Sequence, residues 1–396
     1  MDIEKRDLSG SPNFGLALSG GGVRAAVFHL GVLRCLADHG AMEHVSHLST
    51  VSGGSLITAA VMMASAMRWP SSTEYRDSVY PRLRELLTTR DLFSLKALGT
   101  RGVLRHNLKL LSRRAEILVD LLQLQWNINA SLSDLPETPV WWINATSFES
   151  GKNWRFSKRE MGDWRFGRHY APPFSLAQAV AASAAVPYAI GALRFALPRS
   201  GWYATDPATR KPLNAIEPPA DAIHLWDGGA YENLGLEPLY KPAQGLLGCN
   251  FLICSDASGP LSTTPAHHLR TLFNGRLASP RLFDIASDQI RALRSRMFVG
   301  SIGRGEIQGA LLRMGNTARS LDVKSGRTGV ESRYDDFLSD ADVAVAASHP
   351  TDLNALSIEA FDRLARHGYE VADHTLTTYI PQHFISSAHA RSADST

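Results

Sequence analysis

The sequence predicts an α/β protein built on a mostly parallel central sheet, and three observations predict it. A short apolar run, Phe14 to Ser19, leads into three glycines and then into apolar residues at helical spacing from Val23 to His39. A second run, Val45 to Val51, leads through Ser52-Gly53-Gly54 into a buried helical stretch, Ser55 to Met67. Strand, glycine turn and helix, given twice, is how a parallel sheet with covering helices begins. Later short apolar runs, Val140 to Thr146, Ile223 to Trp226 and Phe251 to Cys254, supply further buried strands.

The remaining elements follow in order. Residues 1–12 and about 383–396 read as polar, mobile ends, so one domain is expected over 13–375, with no linker or repeat inside it. A leucine-rich, partly basic stretch over about 70–128 breaks the alternation and reads as a helical insertion. Asn153 to Ser157 reads as a strand after a glycine turn, and Ser175 to Ala185 as an alanine-rich helix. Ile285 to Phe298 and Leu353 to His367 read as surface helices.

Composition narrows the class. The 396 residues are enough for one large domain or two ordinary ones. A 44% hydrophobic and 20% charged content excludes a disordered, collagenous or coiled-coil chain. Lys and Arg total 41 against 38 acids, so no whole-chain field favours a nucleic-acid partner. Cys35, Cys249 and Cys254 form no CxxC pair, which suits a reducing compartment. The N-terminus has no apolar signal core, and the longest apolar stretch, Leu56 to Met67, is too short to span a bilayer. A cytoplasmic protein is expected.

Three groups can carry chemistry. Ser52 sits between a strand and a helix in Thr50-Val51-Ser52-Gly53-Gly54. A nucleophile elbow needs that sharp turn, with small neighbours so that the backbone can bend. The bland alternative is a serine cap in a glycine-rich turn. Ser55 is the rival, one turn deeper in the helix. Gly20-Gly21-Gly22-Val23-Arg24 follows a strand and opens a helix, so backbone N–H groups converge where an oxyanion could be held. The same residues fit a dinucleotide fingerprint, but that wants an acid at the end of the second strand, and Leu48-Ser49-Thr50-Val51-Ser52 has none. Asp227 ends a short buried strand before Gly228-Gly229, where a desolvated base could sit, although Asp-Gly is also an ordinary turn.

Together these groups resemble the patatin-like lipid acyl hydrolases, which carry a G-G-G-x-[RK] loop, a G-x-S-x-G elbow and a D-G-[GA] motif in this order. The matches are Gly20 to Arg24, Ser52 to Gly54 and Asp227 to Gly229, with Thr50 standing where the elbow motif has glycine. Asn144-Ala145-Thr146, Ala182 to Pro187 and Asn233 add to the similarity, which covers about residues 13–260 and is looser through 353–372. The resemblance implies a patatin-like three-layer sandwich and a serine esterase acting on phospholipids or related acyl lipids. It implies a Ser52–Asp227 dyad and an oxyanion hole from Gly20, Gly21, Gly22 and Gly53. Arg24, Gly54, Gly228, Gly229 and Asn233 would support the site. A catalytically silent lipid-binding protein on the same fold is the alternative, separated by a chromogenic ester assay.

No cofactor is expected. No histidine lies in a catalytic context: His224 and His29 are isolated, and His44, His47, His267 and His268 lack metal-site spacing, so no metal is expected. Between Asp91 and Glu116 there are six basic residues and no acid. Arg101, Arg105, Lys109 and Arg113 recur every four residues and would share one helix face, opposite Leu104, Leu108 and Leu111. That pattern fits a solvated face over a core stripe, or a basic surface making peripheral contact with anionic lipid. Oligomeric state is not encoded legibly.

Overall fold

The computed structural model describes residues 12–90, 92, 114–206, 211–261, 279–325, 336–381 and 383–384. Arg101, Arg105, Lys109 and Arg113 lie outside the described residues.

Five parallel strands form the centre: β1 (Phe14–Leu18), β2 (Val45–Val51), β3 (Val140–Ser147), β13 (Phe251–Asp256) and β14 (Gly309–Arg313), ordered β14-β13-β1-β2-β3. β1 is buried at every position, as a central strand covered on both faces must be. Leu16 and Leu18 point into the larger core, beneath α1 (Gly22–Asp38), α2 (Gly53–Ala64) and α9 (Ile358–Tyr379). Ala17 between them points the other way, into a second cluster with Leu252, Cys254 and Phe298, the last from α6 (Ser279–Gly303). The two-residue alternation thus places helices on both faces, giving the expected three layers. The other α-helices of eight or more residues among the described residues are α3 (Tyr80–Thr89), α4 (Arg114–Gln125), α5 (Leu176–Ser183), α7 (Ala318–Ser325) and α8 (Asp340–Ala347).

Beyond β3 the sheet turns antiparallel through β4 (Asn153–Phe156), β5 (Glu160–Asp163), β6 (Gly167–Tyr170), β8 (Trp202–Thr205) and β9 (Pro212–Ile216). On a branch, β10 (Ala222–Asp227) pairs with β3 and with β7 (Leu193–Ala196). A small hairpin of β11 (Tyr240–Lys241) and β12 (Gly245–Leu246) stands apart. Of the antiparallel extension only the first strand is legible in the sequence; the others are short, β5 and β6 carry glycines, and β9 is largely exposed.

The final helix corrects an expectation. It is not a surface helix over Leu353 to His367. It starts after Ser357, whose side chain accepts from Ala360 N–H, and runs to Tyr379 with Phe361, Leu364, Ala365, Val371 and Ala372 buried. Its polar residues mislead because they are buried with partners. His367 Nε2 accepts from Gly315 N–H at 3.0 Å, Glu370 accepts from Leu338 N–H at 2.9 Å, and His374 pairs with Asp322 at 2.8 Å. α9 lies against α1 with backbones nearly touching: a Cβ on Gly31 would overlap the Ala365 carbonyl, and one on Gly368 the Phe28 carbonyl. Gly31→Ala is therefore expected to cost about 3 kcal/mol, the upper end for overpacking. An unchanged urea midpoint would contradict this close approach.

Candidate active site

The C-terminal ends of the parallel strands share one edge, where open α/β sheets place their ligands. The Gly20 loop leaves β1 there, and the elbow leaves β2. Ser52 has φ 48° and ψ −114°, a conformation that costs a non-glycine residue about 1–3 kcal/mol and must be held from outside. It is held by its own N–H, which donates to Ser183 Oγ at 3.0 Å.

Behind that bond runs a buried chain of hydroxyls. Ser183 Oγ lies 2.8 Å from Ser55 Oγ, which lies 2.8 Å from Thr50 Oγ1, and Trp141 Nε1 donates to Thr50 Oγ1 at 2.9 Å. The chain explains two features of the sequence. Thr50, the departure from the elbow motif, contributes a hydroxyl that glycine lacks. Ser55, the rival nucleophile, is fully buried and engaged on both sides. Ser183 was not singled out as a site residue from sequence, because its partners are 128 and 131 positions away.

Strand register brings Asp227 to the serine. Val51 pairs with Asn144 across β2 and β3, and Asp227 pairs with the next residue, Ala145, across β10 and β3. The Ser52 hydroxyl lies beside the Asp227 carboxylate, close enough to favour its ionised form, and Gly229 N–H donates to Asp227 Oδ1 at 2.6 Å. Asp227 N–H donates to Ala185 O at 2.9 Å, and Thr146 Oγ1 donates to Asp227 O at 2.8 Å, so the backbone is fixed on both sides. Burial raises the carboxyl pKa to about 7, opposed by the Gly229 bond and the nearby Ser52 hydroxyl, which favour the ionised form.

The glycine loop is only partly as expected. Gly20 N–H donates to Asn233 O at 3.2 Å, so Gly20 is not an available donor; it brings the backbone close to Ser52, whose Cβ would lie 3.0 Å from a Cβ there. The N–H groups of Gly21, Gly22 and Gly53 have no acceptor among the described residues. Gly21 and Gly22 take φ of 142° and 61°, backbone conformations open to glycine and costly for other residues. Gly53 packs on Gly22, with a Cβ there 3.1 Å from Gly22 N.

The supporting residues tie these turns together. Asn233 Nδ2 donates to Ser258 Oγ at 3.0 Å and reaches Gly20 O at 3.5 Å. Gly228 packs on Asn144 O, and Gly54 N–H donates to Ser19 O at 3.2 Å. Arg24 is buried and donates to His349 O at 2.8 Å, beside Gly21 and Gly259. Burial lowers its pKa, opposed by the charge of Asp256. Ser52 and Asp227 open into a cleft of about 390 Å³, with Pro187, Leu261 and Phe283 on its apolar side and Arg281 among the polar lining residues.

Among the described residues no histidine hydrogen-bonds to either group. His29 is buried between Ser255 Oγ and Ser19 O, each at 2.9 Å, and its pKa is lowered to about 4 by burial. His224 pairs with Glu149 at 2.8 Å. The one described cluster of metal-ligating type, Cys35, His39 and Asp373, lies at the opposite end of α1, where His39 and Asp373 already pair at 3.2 Å.

A family model described as patatin-like phospholipase matches residues 16–240, more than half of the chain, and the chain belongs to that family. No curated protein matches the sequence. The structure of human GIVD cytosolic phospholipase A2 superposes with a TM-score of 0.54 at 14% identity, over 95% of this chain and 60% of that one. Its complex with methyl gamma-linolenyl fluorophosphonate gives 0.52 at 14% identity, over 96% and 60%. The likeness shows the shared fold, and this chain spans about 60% of those chains. No helix among the described residues is long and apolar enough to cross a membrane.

Proposed function

We propose that this chain is a serine esterase that cleaves acyl chains from phospholipids or related lipids by a Ser52–Asp227 dyad. The observation that carries the reading is a serine on a strained elbow, its hydroxyl beside a buried carboxylate whose pKa is raised to about 7. A base is most effective when its pKa is close to the working pH.

In the first half-reaction Ser52 Oγ attacks the ester carbonyl and Asp227 takes its proton. The oxyanion is held by the N–H groups of Gly21, Gly22 and Gly53, with the N-terminus of α2 adding to the field. Collapse expels the alcohol, protonated by Asp227, and leaves the acyl group on Ser52. In the second half Asp227 takes a proton from water, which attacks the acyl-enzyme; the fatty acid leaves and Ser52 regains its proton. Arg24 and Asn233 hold the donor loop and touch no reacting atom.

A chromogenic ester assay on the purified protein tests the reading: turnover supports it, and a folded protein with none favours a silent lipid binder. Gly21→Val is expected to lower kcat by about two orders of magnitude, since losing one donor costs about 2.7–4 kcal/mol of transition-state stabilisation. The side chain would crowd Ala25 Cβ at 3.1 Å and Ala257 O at 3.2 Å and shift the turn. Normal turnover in Gly21→Val would remove the loop from the oxyanion site.

A further inference from the structure

We propose that the hairpin tips carrying Phe148 and Trp164 form a docking surface for an anionic phospholipid bilayer. Large aromatic side chains are normally buried, yet Phe148 is 58% exposed and Trp164 62% exposed. Topology puts both at the active-site end of the sheet. β3 runs parallel to β2, whose end is Ser52, so the β3–β4 turn bearing Phe148 lies beyond that edge. β5 is antiparallel to β4 and therefore points the same way as β3, so the β5–β6 turn bearing Trp164 lies beyond it too.

The tips are built rather than loose. Asp163, buried, accepts from Arg165 N–H at 2.8 Å and Phe166 N–H at 2.6 Å, which fixes the turn that presents Trp164. Its other oxygen accepts from Ser150 Oγ at 2.5 Å, joining this turn to the one that presents Phe148. Phe148 stands edge-on to Trp226 at 5.1 Å, one residue before the catalytic Asp227. The charge around the aromatics is complementary to an anionic surface. Lys152 Nζ lies 5.5 Å from the centre of the Trp164 ring, and Arg165 is exposed beside it. Neither forms an ion pair with another described residue. The one exposed acid in the β3–β4 turn, Glu149, is paired with His224. Aromatic rings with basic neighbours are the side chains that settle at the headgroup level of a bilayer. Tyr188 and Leu282, next in sequence to the cleft-lining Pro187 and Phe283, are also exposed, 64% and 67%.

The occupant is inferred to be a lipid surface because the tips stand beside a site read as a lipid hydrolase, and on that reading the proposal rests. Docking here would set Ser52 facing the bilayer from which its substrate comes.

The test is co-sedimentation of the full chain with vesicles of phosphatidylcholine alone and of phosphatidylcholine mixed with phosphatidylglycerol, beside the hydrolysis rate of a soluble short-chain ester. Wild type is expected to bind the anionic vesicles. Phe148→Ala with Trp164→Ala should weaken that binding at least tenfold, and Lys152→Glu should remove most of its dependence on phosphatidylglycerol. All variants should keep the wild-type soluble-ester rate. Wild type that stays in the supernatant, or a double variant that sediments like wild type, overturns the docking surface. Aromatic-dependent vesicle binding by a protein that hydrolyses no ester upholds the surface and overturns the enzyme reading instead.

Discussion

Ser52→Ala is expected to lower kcat by roughly 10⁴–10⁶ while the protein remains folded, the loss typical of a nucleophile that acts as a unit with its base. The backbone bond that fixes the elbow, Ser52 N–H to Ser183 Oγ, does not involve the missing hydroxyl. The neighbouring hydroxyls of Thr50, Ser55 and Ser183 are consumed in the buried chain behind the elbow, so none is placed to replace it. Residual turnover would come from the oxyanion donors and substrate binding. Kinetics beside circular dichroism measure this. Loss of activity in Ser55→Ala with activity kept in Ser52→Ala would show that the elbow is read in the wrong register.

Asp227→Asn is expected to cost nearly as much, and it adds a signature in pH. The base must be ionised, and its pKa is raised by burial to about 7. Wild-type kcat/KM should therefore fall tenfold per pH unit below about 7, far above the usual carboxylate range. The variant should show no such limb. Stability should move oppositely. The folded state binds the Asp227 proton more tightly than the unfolded state, so its stabilising contribution is present below about pH 4 and is lost as pH rises through 7. Asparagine carries no charge to bury, so the inactive variant should melt higher than wild type above pH 7. A single His→Ala change that matched the Ser52 loss would replace the dyad with a triad.

The first four parallel strands, both glycine-flanked turns and the Asp227 strand end are legible because each rests on a local pattern, an apolar run or small residues at a turn. Their convergence was legible only through the order of the motifs, since nothing in Asp227-Gly228-Gly229 points to Ser52, which lies 175 positions earlier. Strand register supplies that link. The Ser183 hydroxyl stayed hidden for the same reason: a serine in an alanine-rich helix has no sequence mark for the N–H it accepts. The sequence offers Gly20 as a donor, but its N–H is taken by Asn233 O, a long-range bond that no spacing rule encodes. The last helix misled because Glu370, Asp373 and His374 are polar by type but buried by partnership. Fold class follows from periodicity; the roles of individual polar atoms follow from contacts between distant segments.

The central claim, that Ser52 is a nucleophile activated by a buried Asp227, is tested most directly by fluorophosphonate labelling followed by peptide mapping across a pH series. The label is expected on Ser52 alone, at a rate that rises with pH through a midpoint near 7 and collapses in Asp227→Asn. A label mapped to Ser55, Ser183 or another residue of an active preparation, or a Ser52 rate indifferent to the loss of Asp227, would contradict it.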